Sequence, residues 1–297
     1  MPLRALAGAL LAVAAGAAQA GSLRFCDVPA SVDAREQDRL LRFAAIVKAE
    51  LDAAGGEAAI VARTGLALER FGVRYSHAGV ALRRGDTPWA VRQLYYACDE
   101  QRPRLYDQGM AGFVMGSSAP ASGRVALVLL PPAADAALAR TAADTPRALQ
   151  LLGARYSANA YAFAEAYQNC NQWVAELLAL AWGAAAENGE APRAAAQRWL
   201  RAAGYAPHVF ALAPWWMWGG LAVPWVHHAD HPPQDVAAGR YRVSMPEAIE
   251  AFVHARQPQA RRVELCRVGT RVVVRHGWGP LADDCAPDDG DRVVTLD

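Results

Sequence analysis

The stretch "NCNQWVAELLALAWG", residues 169–183, most constrains what this chain can fold into. Counting from Cys170, residues Trp173, Val174, Leu177, Leu178 and Ala181 recur at three- and four-residue steps and share one helical face. Asn169 is a suitable N-cap and Gly183 a natural stop. The spacing therefore predicts a helix whose first turn carries Cys170 at the edge of an apolar face.

The segments around it supply strands and further helices. Residues 36–54 read as an amphipathic helix ended by Gly55-Gly56, and "AAIVARTG" (58–65) fits either a short helix or a strand. "VRYSHAGVALRR" (73–84) and "WAVRQLYYAC" (89–98) are rich in β-branched and aromatic residues. They flank the turn-forming "GDTP", the pattern of a hairpin. "RVALVLLP" (124–131) is apolar throughout, as a central strand would be. Helical material follows up to Gly153, divided at Pro146, and another helix spans 193–203. "SMPEAIEAFVHA" contains a capping-box pattern, Ser244 with Glu247, and "RRVELCRVGTRVVVRHGW" predicts a hairpin through Gly269. The whole reads as an α+β chain, with a boundary expected near Pro232-Pro233. That divides it into a leader (1–20), a main domain (21–231) and a C-terminal helix-plus-hairpin extension (232–297) packed on it.

Compartment decides what a cysteine is for. The chain opens with Arg4, an apolar run from Ala5 to Ala17, and Ala18-Gln19-Ala20, the small-x-small pattern of a secretory cleavage site. The run is shorter than the ~20 residues that cross a bilayer. The expectation is an exported, periplasmic protein that begins near Gly21, in a compartment where cysteines pair. Five cysteines are present, so one is left over unless it pairs between chains. Cys266–Cys285 makes a local bridge and Cys26–Cys98 would tie the mature N-terminus to a strand end. Cys170 is then free, although other pairings, including one that takes Cys170, satisfy the same count. A formal net charge of +1, with no basic run interleaved with aromatics, argues against nucleic acid.

A helix N-terminus carries partial positive charge and free N–H groups, which favour a thiolate and can donate to an oxyanion. Cys170 therefore stands in a setting suited to a nucleophile, flanked by the polar Asn169, Asn171 and Gln172. His77, within "RYSHAGVAL", is a candidate base, because a Cys–His pair needs spatial rather than sequential adjacency.

"YSHAGVAL" followed by "NCNQWVAELL" resembles the circularly permuted papain-like superfamily, which includes NlpC-type cell-wall peptidases and lecithin retinol acyltransferase-like enzymes. In that branch a His-x-Gly strand precedes an Asn-Cys pair opening a helix; here His77-Ala78-Gly79 precedes Asn169-Cys170. The pattern is also similar to an exported bacterial family of unknown function within that group. The resemblance implies a helix bearing Cys170 packed on an antiparallel sheet that bears His77, with Cys170 as nucleophile and His77 as general base. The His-orienting residue would be Gln93 on the next strand, with Arg92 and Tyr95 as rivals. Tyr75, Asn169 and Asn171 would be oxyanion or substrate contacts. It implies a cysteine hydrolase acting on a cell-wall peptide amide, or on a lipid or other ester, without cofactor or metal. A carboxylate or second His would orient His77 more strongly than Gln93. The alternative is therefore a non-catalytic binding module that holds a peptide, glycan or lipid in an aromatic groove.

Other motifs carry less. "HHADH" (His227, His228, Asp230, His231) with Asp235 contains metal-ligand types, but adjacent residues on an extended segment point oppositely, so a loop role is expected. "ADDCAPDDGD" (282–291) lacks the calcium-loop register and reads as a solvated turn. "GMAGFVMGSS" (109–118) lacks the context of a phosphate loop. The aromatic stretch Trp215–Trp225 is expected to line a core or groove rather than meet a membrane.

Overall fold

The computed structural model describes residues 32–66, 68–116, 121–187, 189–213 and 223–296. The expected leader, Cys26 and most of the aromatic stretch (214–222) lie outside these. The described elements are α1 (Ala34–Ala54), β1 (Ala58–Arg63), a 3-10 turn (Glu69–Phe71), β2 (His77–Leu82), β3 (Ala90–Ala97) and β4 (Arg102–Gly109). Then come α2 (Met110–Met115), β5 (Ser122–Leu129), α3 (Pro132–Ala143), α4 (Thr145–Gln150), α5 (Cys170–Trp182) and α6 (Pro192–Ala202). The chain continues through β6 (His208–Ala211), α7 (Pro233–Ala237), β7 (Arg240–Val243), α8 (Pro246–Arg256), β8 (Arg261–Val268), β9 (Arg271–His276) and β10 (Arg292–Thr295).

Eight strands form one sheet in the order β10-β9-β8-β5-β1-β2-β3-β4, every neighbouring pair antiparallel. β5 and β1 are at its middle, which is why "RVALVLL" and "AAIVA" are apolar without alternation: both faces are covered. On one face α5, α3 and α8 bury Ile60, Ala78, Val80, Leu94 and Val128. On the other, α1 and α2 bury Ala59, Val61, Ala81, Val91 and Leu127. At about 25 cal/mol per Å² of apolar surface, these two layers dominate the stability of the fold.

Several sequence expectations are met locally. Asp144 ends α3 and caps α4 by accepting from the Arg147 N–H, so the helical stretch does divide beside Pro146. Gly269, at φ +59°, turns β8 into β9. Others are corrected. β4, unforeseen in "RPRLYDQG", is an exposed edge strand whose Pro103 and charged residues hide the alternation. The Ser244/Glu247 capping box does not form. The helix begins at Pro246 after Met245, and Glu247 Oε1 instead accepts from the N–H groups of Arg74 (2.7 Å) and Tyr75 (2.9 Å). The segment after residue 232 joins the central sheet, where β8 pairs with β5.

Cys266 and Cys285 form a disulfide under Leu281 and Val273. Cys98 is also disulfide-bonded, while Cys26, the partner expected for it, lies outside the described residues. Cys170 is a free thiol. Disulfides accord with an oxidising, non-cytoplasmic compartment. Among the described residues no helix is long and apolar enough to cross a membrane.

Candidate functional site

The N-terminus of α5 is assembled by its own sequence. Asn169 accepts from the Gln172 N–H (2.7 Å), satisfying one orphan donor of the first turn, and its amide nitrogen donates to Ala158 O and Ser244 O at 3.3 Å. Its polar atoms are thus committed to capping rather than to a ligand. Cys170 follows, 7% exposed, with its Sγ 3.6 Å from Asn171 Oδ1.

Asn171 is what ties the helix to β2. β2 pairs with β3 only over Val80–Leu82, so its first residues lack a strand on that side. The Asn171 side chain fills the vacancy: Oδ1 accepts from the Ala78 N–H (2.9 Å) and Nδ2 donates to Ser76 O (3.2 Å). The backbone on either side of His77 is thereby held against the turn that carries Cys170. Asn171 thus staples the start of α5 to the start of β2.

His77 lies directly across from Arg63 in the β1/β2 pairing. Its ring packs edge-on to Tyr95 (centroids 5.7 Å) and tilted against Phe113 (5.9 Å). Nε2 is 2.6 Å from Gln93 Oε1, and Gln93 Nε2 donates to Gln108 Oε1 at 2.7 Å. In this arrangement the amide oxygen of Gln93 faces the ring. An amide oxygen only accepts, so Nε2 carries the hydrogen and Nδ1 keeps its lone pair as a base. Gly79 permits this approach, because a Cβ there would stand 2.6 Å from Val91 Cγ1 and 3.2 Å from Gln93 Cβ. The glycine of the His-x-Gly pattern therefore has a packing reason. Arg92 is paired with Asp107 at 2.6 Å, and Tyr95 and the imidazole make a T-shaped ring contact. Gln108 was not foreseen; once Gln93 is chosen, the next strand's polar residue at hydrogen-bonding distance is the signal.

Electrostatics correct the expectation of a ready thiolate. Burial pushes the Cys170 thiol up to about 11, against the opposing pull of Arg63 and of the N–H groups of Asn171, Ala78 and Cys170 itself. Burial lowers His77 to about 3, Arg63 adds to that, and the bond to Gln93 opposes it. Both shifts oppose transfer of the thiol proton to the imidazole. The helix N-terminus is outweighed by desolvation. The resting groups are a neutral thiol and a neutral imidazole, and among the described residues no hydrogen bond joins them directly.

Tyr75 is placed elsewhere. Its hydroxyl donates to Glu264 Oε1 at 2.7 Å within a buried cluster that includes Arg262, Arg124 and Glu250. It has no free donor for an oxyanion. The "HHADH" loop is structural: Asp230 accepts from the Tyr161 N–H (2.8 Å) and His231 Nε2 donates to Asn159 O (2.7 Å). Asp235 pairs with Arg240 and Arg242 at 3.3 Å. No group of three or more His, Cys, Asp or Glu side chains suited to a metal occurs among the described residues. In 282–291, Asp288 and Asp291 close on Arg275 at 2.5 and 2.6 Å. Of the aromatic stretch, Trp225 is described, its ring 5.7 Å from Tyr96.

Fold and site define an α+β protein with one large antiparallel sheet, in which a free buried cysteine begins the helix that is stapled to a histidine-bearing strand. The chain belongs to DUF2145, a family of uncharacterized proteins conserved in bacteria, whose model matches residues 50–253 and so takes in His77, Gln93 and Cys170. No curated protein and no solved structure gives a significant match.

Proposed function

We propose that the protein is an exported, periplasmic cysteine hydrolase on a permuted papain-like scaffold, with Cys170 as nucleophile, His77 as general base and Gln93 as the residue that orients it. The observation that carries this reading is the Gln108–Gln93–His77 chain of hydrogen bonds, which leaves Nδ1 as the basic nitrogen.

The chemistry balances without a cofactor. The Cys170 thiol leaves Asn171 Oδ1 and attacks an amide or ester carbonyl while His77 Nδ1 takes its proton. The oxyanion is stabilised by N–H groups at the start of α5. Collapse of the tetrahedral adduct expels the amine or alcohol, which receives the proton from His77, and leaves a thioester. Water, deprotonated at Nδ1, releases the acid and restores the thiol. A cell-wall peptide amide is the first substrate class, and a lipid or other ester the second.

Burial favours a second reading, because both groups are uncharged at rest: a non-catalytic module that holds a peptide, glycan or lipid. Incubation with purified cell-wall peptides and, separately, with short-chain esters, followed by mass spectrometry, separates the two. Hydrolysis abolished by Cys170→Ala and by His77→Ala is the expected result. Binding that Cys170→Ala leaves intact, with neither substrate cleaved, would establish the module instead.

A further inference from the structure

Asn171 is a buried amide in a row that is otherwise apolar. Along α5 it precedes Val174, Ala175 and Leu178 at helical spacing, all of them in the core between helix and sheet, and it is itself 2% exposed. A buried amide costs stability unless its polar atoms are bonded. A carboxamide carries an acceptor and a donor, as a peptide group does. Asn171 turns both toward the edge of β2, with Oδ1 accepting from the Ala78 N–H at 2.9 Å and Nδ2 donating to Ser76 O at 3.2 Å. These backbone groups lie on either side of His77, where the pairing with β3 over Val80–Leu82 has already stopped. The same Oδ1 receives the Cys170 S–H at 3.6 Å. A carbonyl oxygen has two lone pairs, so it can hold both donors at once. Nδ2 also lies 3.8 Å from the sulfur of Met245, the residue before α8. One shared acceptor therefore joins the thiol to the backbone amide that follows His77.

We propose that Asn171 is the positioning residue of the Cys170–His77 pair. It stands in for the strand that this end of β2 lacks, and it holds the thiol with the same oxygen that holds Ala78, so it sets the reach between nucleophile and base. The inference rests on the acyl-transfer reading and adds to it the part that keeps the two reacting groups in register. An apolar residue would continue the helix row but leave the Ser76 carbonyl and the Ala78 N–H open and the thiol free to turn. An ionised carboxylate would accept from Ala78 but could not donate to Ser76, and it would set a negative charge beside the sulfur. Reacting groups have to meet in a narrow range of geometry, and a displacement of about 1 Å can cost roughly 100-fold in rate.

The test is a double-mutant cycle on the full chain, with 4-nitrophenyl acetate as the probe. The rate at which an acetyl group appears on Cys170, located by peptide mass mapping, is measured for wild type, Asn171→Ala, His77→Ala and the double variant. Asn171→Ala is expected to slow acylation on the order of 10–100-fold while His77 is present. In the His77→Ala background the same substitution is expected to slow it by less than about twofold. A residue that only supports the fold slows both backgrounds by one factor, and that result, with the His77 effect intact, would overturn the proposal. Should Asn171→Ala not fold, Asn171→Leu, which continues the apolar row, passes through the same cycle with the same two outcomes. No acetyl group on Cys170, or no slowing in His77→Ala alone, removes the acyl-transfer reading and the positioning role with it.

Discussion

Two positions apart on the chain, Tyr75 and His77 enter buried polar clusters of opposite design. Tyr75 joins a closed ionic network: Glu264, fully buried, accepts from Tyr75, Arg124, Arg262 and the Leu281 N–H, and Arg262 reaches across to Glu250 at 2.7 Å. Opposite charge is at hand there, and Glu264 is held below the ordinary carboxylate range even though burial alone would raise it. The cluster around His77 has amides instead of carboxylates. Gln93 and Asn171 orient the imidazole and the thiol without supplying a negative charge, and burial leaves both uncharged. The first arrangement locks the C-terminal strands to the start of β2. The second holds a thiol and an imidazole uncharged.

The largest expected effect tests the locked side. Glu264→Leu removes the carboxylate shared by Arg262 and Arg124, leaving Arg262 with Glu250 and Arg124 with backbone carbonyls alone, and chemical denaturation should show a loss of about 3–5 kcal/mol. A loss within error of zero would mean the network is dispensable. Next is Gly79→Ala, which drives a Cβ into Val91 and the Gln93 stem. It should cost about 1–3 kcal/mol and shift the His77 ring resonances; unshifted resonances would remove Gly79 from the account of the site. Asn171→Ala opens two backbone groups of β2 and should cost about 1–3 kcal/mol, with faster hydrogen exchange at Ala78 than anywhere in β5.

The remaining test is a pH dependence. His77 titrates at about 3 when folded, below its ordinary 6.5, so the unfolded chain takes up the proton first as pH falls. The stability tied to it is present above pH 6.5 and is lost toward pH 3, by up to ~1.4 kcal/mol per pH unit. Glu250, raised to about 7, works in the opposite sense between its ordinary value and pH 7. Comparing wild type with His77→Leu isolates the histidine, and the variant should have the flatter acid limb. Equal limbs would mean the imidazole is not buried neutral.

The readable features were those whose cause is local. An asparagine before an apolar, helix-spaced run gives a cap whatever the fold, and so Asn169 and the place of Cys170 were visible. Gln93 came from the resemblance, which puts the orienting residue on the strand after the histidine. Arg63 was not visible, because an arginine closing "AAIVAR" looks like a solvated strand end until the pairing sets it opposite His77. The place of Tyr75 depends on Glu264, 189 positions away, and no local pattern foretells that bond. The capping box misled because Pro246 fits the first helical position, while the Glu247 carboxylate is taken by a remote backbone. The neutral state of the site was hidden for a related reason: helix polarity is written in the sequence, whereas desolvation depends on everything packed around it.

The account turns on Cys170 accepting an acyl group with the help of His77. An activated ester added to the native protein, with the adduct located by peptide mass mapping, tests this most directly. The expected result is a single acyl group on Cys170, absent in Cys170→Ala and formed about 10²–10⁴-fold more slowly in His77→Ala. An adduct at another residue, or one formed at the same rate without His77, would contradict it.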